Sequence, residues 1–194
     1  MFEHSLKNAY IGEVYEYSYD FRNKSTSQIT ADGWNIAANH IQLWANWISG
    51  NSSTEWKVKK TVNLLWAERC ILKTNLYISW WSWQRWWISP WFANAQGSFR
   101  ANWMGNWPWF WLQLNLVSWT AWSQFNETVA LNWQYTSTLE VDLVNNKASV
   151  TLDGVWTITN NNPDLTTFLS EQFLSITVTY WNSWVQDIKV TIEY

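Results

Sequence analysis

A strand with one buried face carries apolar side chains at every second position, and residues 135–194 follow that rule more closely than any other part of this chain. Over 135–144, Leu139, Val141 and Leu143 alternate with Thr138, Glu140 and Asp142. Asn145-Asn146 then offers a turn, after which Ala148, Val150 and Leu152 alternate with Ser149, Thr151 and Asp153. The two runs predict a hairpin, and Asp153-Gly154 marks the next turn. Beyond Asn160-Asn161-Asn162, an Asn162 cap with Pro163 at the first helical position predicts a short helix over 163–172. Two more alternating runs follow, 174–180 and 185–194, the second setting Ile188, Val190 and Ile192 against Asp187, Lys189 and Thr191.

The same period recurs upstream. Tyr15, Tyr17 and Tyr19 share one face of a first strand within 10–19, and the polar stretch 20–32 reads as a loop. Residues 41–48 and 55–64 read as strands separated by Ser49-Gly50-Asn51-Ser52-Ser53. In 70–79, Cys70, Leu72, Leu76 and Ile78 oppose Lys73 and Asn75; in 109–117, Leu112, Leu114 and Leu116 oppose Gln113 and Asn115. Many short strands with few helical patterns predict an all-β protein, a two-sheet antiparallel sandwich. At 194 residues the chain suits one such domain over 1–194, with 1–10 as an N-terminal tail and 80–108 as a long loop or insertion.

Three stretches carry a resemblance: Asp187-Ile-Lys-Val-Thr-Ile, the hairpin 139–154, and YSYDFRNKSTSQITADGW at 17–34. Together they resemble concanavalin A-like lectin/glucanase domains of the LamG-like jelly-roll kind. The resemblance covers the two ends of the chain, and 48–123 matches no family. It implies a jelly roll whose first and last strands pair in one sheet, on a scaffold that often binds glycans; function still has to come from the site.

Charge and composition narrow the partners. Net charge is −3 with 14% charged residues, and the small cluster Lys57, Lys59 and Lys60 reads as a solvated strand face, so nucleic acid is not an expected partner. The single cysteine, Cys70, leaves no internal disulfide and reads as a small apolar strand residue. His4 and His40 form no familiar metal spacing with it. No apolar run has membrane-spanning length, and MFEHSLKNAY lacks the basic head and apolar core of an export signal. Asn23, Asn51 and Asn126 begin glycosylation sequons, which chance also produces in a Ser/Thr-rich β protein.

Tryptophan is the outlier: 21 residues against 6 glycines, where glycine averages about 7% of a chain. WWSWQRWW at 80–87 and WMGNWPWFW at 103–111 place tryptophan beside Asn, Ser and Pro, where small turn residues would serve. Asn182-Ser183, between Trp181 and Trp184, separates two strands where a hairpin would use glycine. Two explanations stand. A UGA codon that means glycine in the host has been written as tryptophan at many of these positions, or the protein has an aromatic-rich surface. An intact mass equal to 23.1 kDa for protein from its native host would eliminate the first.

Sugars present apolar C–H faces and a ring of hydroxyls, so a glycan site combines flat aromatics with amide, carboxylate or guanidinium groups. Trp81, Trp83, Trp87, Asn94, Gln96, Arg100 and Asn106 form such a set, against which core packing or recoded glycine also accounts for the tryptophans. Glu140-Val141-Asp142-Leu143 resembles the start of the glucanase catalytic strand, but the third acid of that pattern is absent at Val144 and Asn145. Glu140 and Asp142 alternate with Leu139, Val141 and Leu143, and the solvent face of a half-buried strand accounts for both without further assumptions. A lectin-type calcium site has its nearest candidate at 160–164, which a helix cap explains better, so no cofactor or metal is expected. No Ser-His-Asp or phosphate-loop pattern appears.

The expected function is a non-catalytic structural or adhesion module at a virion or extracellular surface, with bacteriophage as the preferred setting. Its partners would be glycans or other virion and surface proteins, and homo-oligomers could form through an exposed edge strand. The alternatives are a glycoside hydrolase relative using Glu140 and Asp142, and a structural capsid or tail sandwich with no ligand.

Overall fold

A computed structural model describes residues 12–36, 41–44, 47–50, 55–78, 86–104, 107–116, 119–126, 133–166, 168, 171–179 and 183–194. The strands are β1 (Val14–Asp20), β2 (Asn35–Ile36), β3 (Ile41–Trp44), β4 (Trp47–Gly50), β5 (Glu55–Thr61), β6 (Arg69–Ile78), β7 (Trp86–Phe92) and β8 (Ala95–Met104). They continue with β9 (Trp107–Leu116), β10 (Trp119–Asn126), β11 (Trp133–Asp142), β12 (Lys147–Leu152), β13 (Trp156–Asn160), β14 (Phe173–Thr179) and β15 (Ser183–Glu193). One α-helix, α1 (Thr26–Ala31), follows β1.

The strands form two antiparallel sheets. Sheet A runs β13-β12-β11-β6-β15-β4-β3, with β1 also on β15, and sheet B runs β10-β9-β8-β7-β14-β5-β2. The expected pairing of first and last strands is present: β1 lies antiparallel on β15 with Tyr17 opposite Val190. Beyond it, Gly12 N–H donates to Tyr194 O and Tyr194 N–H to Glu13 O, at 2.6 and 3.0 Å. A bulge between Val185 and Asp187 marks where the β15 edge passes from β1 to β4. The hairpin β11–β12 has the expected register, Leu139 opposite Val150. Its turn holds Asn146 at φ 48°, a conformation asparagine tolerates.

The alternating apolar positions meet between the sheets. Leu72, Leu139, Val141, Val150, Leu152, Val190 and Ile192 of sheet A and Val58, Ile88, Leu112, Leu114, Ile176 and Val178 of sheet B are all fully buried in one core. Each such side chain contributes about 1.5–3 kcal/mol relative to exposure. Cys70 is buried there too, and that burial pushes its thiol up to about 12. No helix among the described residues is long and apolar enough to cross a membrane.

Several expectations are corrected. The run 41–48 is two strands, β3 and β4, with Trp44 opposite Trp47; apolar residues on both sides of 45–46 hid the reversal. The polar stretch 20–32 contains α1, whose Ser25 and Gln28 form a capping box: Gln28 N–H donates to Ser25 Oγ and Ser25 N–H to Gln28 Oε1. The described residues of 80–108 are β7, β8, their turn and the start of β9, at the middle of sheet B rather than in a long loop. β14 and β15 belong to different sheets and do not pair as a hairpin; 180–182 lies outside the described residues. Over 163–172, Phe168 N–H donates to Leu165 O in a helical turn, with 167, 169 and 170 outside the described residues. The tail 1–10 also lies outside them.

Gly97 of β8 lies close against sheet A. A Cβ built there would lie 2.7 Å from Val150 Cγ2, a rigid β-branched neighbour that is itself fully buried. Gly97→Ala is therefore expected to lower stability by about 1–3 kcal/mol through overpacking. Combining it with Val150→Ala should restore part of that loss in urea unfolding, and a neutral single substitution would show that the sheets do not meet there.

Candidate functional site

Strand alternation gives sheet B two unlike faces. On β9, Leu112, Leu114 and Leu116 point into the core, so Gln113 and Asn115 stand on the face turned away from it. Gly97 faces Val150 across the core, which sets Gln96 and Ser98 of β8 on that same outward face. On β14, Ile176 and Val178 enter the core and leave Ser175 and Thr177 outward.

Register brings these polar positions into adjacent rows: Asn115 opposite Gln96, Gln113 opposite Ser98, and Trp91 between Gln96 and Ser175. The side chains link across three strands. Gln113 Nε2 donates to Asn115 Oδ1 at 2.7 Å, and Asn115 Nδ2 to Gln96 Oε1 at 2.7 Å. Gln96 Nε2 donates to Ser89 Oγ at 3.1 Å, and the Ser89 and Ser98 hydroxyls lie 3.0 Å apart. Gln96, Gln113, Ser89 and Ser98 are all buried. At the flanks, Ser175 Oγ, Thr177 Oγ1 and Gln113 Oε1 are buried with no hydrogen-bond partner. A buried polar atom without a partner costs about 1–3 kcal/mol, so three on one face are unmet capacity. Amides and hydroxyls both donate and accept, the chemistry a row of sugar hydroxyls requires.

Of the residues expected to form a glycan site, Trp87, Asn94, Gln96 and Arg100 are spread along the β7–β8 hairpin of sheet B. Trp87 and Arg100 are cross-strand partners, Asn94 is in the connecting turn, and Gln96 is the centre of the network. Trp81, Trp83 and Asn106 lie outside the described residues. Ser89, Ser98, Gln113, Asn115, Ser175 and Thr177 were not singled out from sequence. Each alternates with core residues as any solvent face does, and only the pairing of β14, β7, β8 and β9 assembles them.

The two acids weighed as catalytic lie elsewhere, on β11 of sheet A. Glu140 Oε1 accepts from Arg69 Nε at 2.8 Å, and Arg69 also meets Glu193 at 3.3 Å. Asp142 accepts from Asn145 N–H and Nδ2; against the burial that raises it, these bonds hold its carboxyl below the usual range. A general acid needs the opposite shift. The oxygens at 160–164 are occupied by local turns, Asn160 accepting from Asn162 N–H and Asp164 from Thr166 N–H. Among the described residues, no three His, Cys, Asp or Glu side chains converge as a metal site would require.

Sheet A carries a cleft of about 600 Å³ lined by Tyr19, Asp20, Arg22, Asn75, Thr136 and Asp187 among others. Thr136 Oγ1 donates to Asn75 Oδ1, and Asn75 Nδ2 to Asp187 Oδ1, both at 2.7 Å. Asp20 is directly opposite Asp187 and is held by Arg22, 2.6 Å away. Burial, joined by the Asp20 charge, raises the Asp187 carboxyl above its usual range. These groups already answer one another, so the cleft offers a ligand less than the sheet B face does.

No family model matches the sequence, and a search of curated proteins finds no match. Solved structures do match. The CBM2 module of the Lactobacillus casei BL23 phage J-1 evolved Dit has a TM-score of 0.64 at 10% identity, covering 95% of this chain and 98% of that one. An endo-1,3-beta-glucanase from Streptomyces sioyaensis has a TM-score of 0.60 at 12% identity over 93% and 96%. Winged bean acidic lectin with methyl-alpha-D-galactose has 0.58 at 9% over 93% and 99%. At such identities the likeness establishes the fold: a concanavalin A-like jelly roll.

The Asp187 environment generates a pH test. A carboxyl raised by folding favours the fold while protonated, below its unfolded value of about 3.9, and loses that contribution as pH rises through the folded value. Asp187→Asn should therefore raise the urea midpoint at neutral pH, with the gain fading as pH falls through the raised folded value and gone by about pH 4. A gain that persists in acid would assign it to something other than the charge.

Proposed function

We propose that this protein is a non-catalytic, carbohydrate-binding jelly roll that works at a virion or extracellular surface and holds a glycan on the outward face of sheet B. The observation that carries the reading is the hydrogen-bonded row from Gln113 through Asn115 and Gln96 to Ser89 and Ser98, flanked by hydroxyls with unused capacity. A core-facing row would be apolar, and a solvated surface row would not be buried.

The absence of carboxylates supports binding over hydrolysis. Strands β7, β8, β9, β10 and β14 contain no Asp or Glu, whereas a glycosidase of the usual kind needs a pair of them across the scissile bond. The phage module among the similar folds supports the virion setting, and the sugar-bound lectin supports the ligand class.

On a glycan array the protein should retain a subset of oligosaccharides. Gln96→Ala, which removes two hydrogen bonds from the middle of the row, should weaken retention about tenfold or more. Glu140→Gln, on the other sheet, should leave it unchanged. Sugar release from a β-glucan panel that disappears in Glu140→Gln would overturn the reading in favour of a hydrolase. An empty array together with stable oligomers on size exclusion would overturn it in favour of a ligand-free structural sandwich.

A further inference from the structure

We propose that tryptophans 66, 91 and 122 stand where the chain made in its natural host carries glycine, through a UGA codon that the host reads as glycine, and that the glycine form opens the polar row of sheet B to a neutral glycan. The ligand part of this inference rests on the glycan reading above; the codon part does not.

The first support is the turn joining β5 to β6. Ala67 N–H donates to Leu64 O at 3.1 Å, closing a four-residue turn with Trp66 in its third position at φ 68°. A turn with positive φ at that position calls for glycine or asparagine, because a Cβ there crowds the neighbouring carbonyl. The rest of the chain keeps to this rule closely. Its described positive-φ glycines, Gly12, Gly33 and Gly154, lie at 74–86°, and Asn23 and Asn146 lie at 58° and 48°. Among the described residues the only other exception is Ala93 at 48°, and a tryptophan at 68° is the further departure.

The second support is independent and lies in sheet B. Strands β7 to β10 hold nine tryptophans and a single glycine. Trp91 is the register neighbour of Gln96 and Ser175, and Trp122 that of Gln113. Those neighbours include Ser175 and Gln113, whose Oγ and Oε1 are buried without a hydrogen-bond partner. Unpartnered polar atoms buried on a face turned away from the core are what results when a bulky residue such as Trp91 occupies a place meant for none, and Trp122 shares the register of that row. Glycine at 91 and 122 returns that row to water or to a ligand hydroxyl.

Not every tryptophan fits this description. Trp34 is fully buried among Tyr19 and Phe21, with ring centroids 5.3 Å from each, and its Nε1 donates to Tyr17 Oη at 3.3 Å. That position is filled as an aromatic core site is filled.

Trypsin cuts after Lys60 and Arg69 and releases 61–69, a peptide whose only tryptophan position is 66. Tandem mass spectrometry of this peptide from natively produced protein should read glycine at 66. Tryptophan there would overturn the inference and leave the glycan reading standing. In recombinant protein, Trp66→Gly should raise the thermal midpoint by about 2–4 °C, the shift expected when positive-φ strain is relieved in a chain of this size, and a fall would count against the inference. Trp91→Gly/Trp122→Gly should be retained by neutral polysaccharides about tenfold more strongly than the tryptophan-containing chain. Glycine at 66 with no polysaccharide retained by either chain would keep the codon assignment and remove the glycan site.

Discussion

The ladder between β15 and β6 is the interaction on which the rest of the sandwich depends. It runs from Ser183 opposite Ile78 to Glu193 opposite Arg69 and places two long strands side by side at the middle of sheet A. Buried rows cross it at right angles: Leu139, Leu72 and Val190 in one, Val141, Cys70 and Ile192 in the next. A one-residue slip would turn each of these side chains to solvent, so the core itself fixes the register. At the end of the ladder Arg69 reaches both Glu140 and Glu193 across neighbouring strands. These groups are more than a third exposed or nearly so, and surface pairs of that kind add little beside the buried rows.

Sheet B is stabilised differently. Its inner face is as apolar as that of sheet A, but its outer face replaces a solvated fringe with a buried network of amides and hydroxyls. Such a network stiffens the strands when every member is matched and costs stability wherever one is not. Ser175 and Thr177 are unmatched, and β14 lies between β7 and β5, where neither strand can shift to answer them. That cost falls on the outward face of sheet B, beside Trp91 in the register.

The legible and illegible parts of the sequence divide along the same line. β11, β12, β14 and β15 alternate cleanly because one face is apolar and the other Thr, Glu, Asp or Lys, and their boundaries were readable within a residue or two. β8 was not, because Ala95, Gly97 and Ala101 give one side of its pleat little apolar contrast, and β7 and β10 were not, because tryptophan on both sides of the pleat erases the period-two signal. β3 and β4 merged into one run for the same reason. The helix α1 was too short for periodicity, although Ser25-x-x-Gln28 is a readable cap. Gln96, Asn94, Trp87 and Arg100 were singled out because aromatics stand next to amides and a guanidinium in that stretch. Ser89, Ser98 and Thr177 carry no local mark and come beside them only through strand pairing.

The placement of β15 bears on how the chain is made. A ribosome delivers β6 more than a hundred residues before the strand that will lie against it, as the register Leu72 to Val190 shows. During that interval one side of β6 presents bare amide and carbonyl groups to any extended segment in the cell. Vectorial synthesis thus leaves the centre of sheet A, rather than its rim, as the last seam to close. A nascent chain stalled before its final strand would be an adhesive intermediate, with quality control or a neighbouring chain as its first visitor.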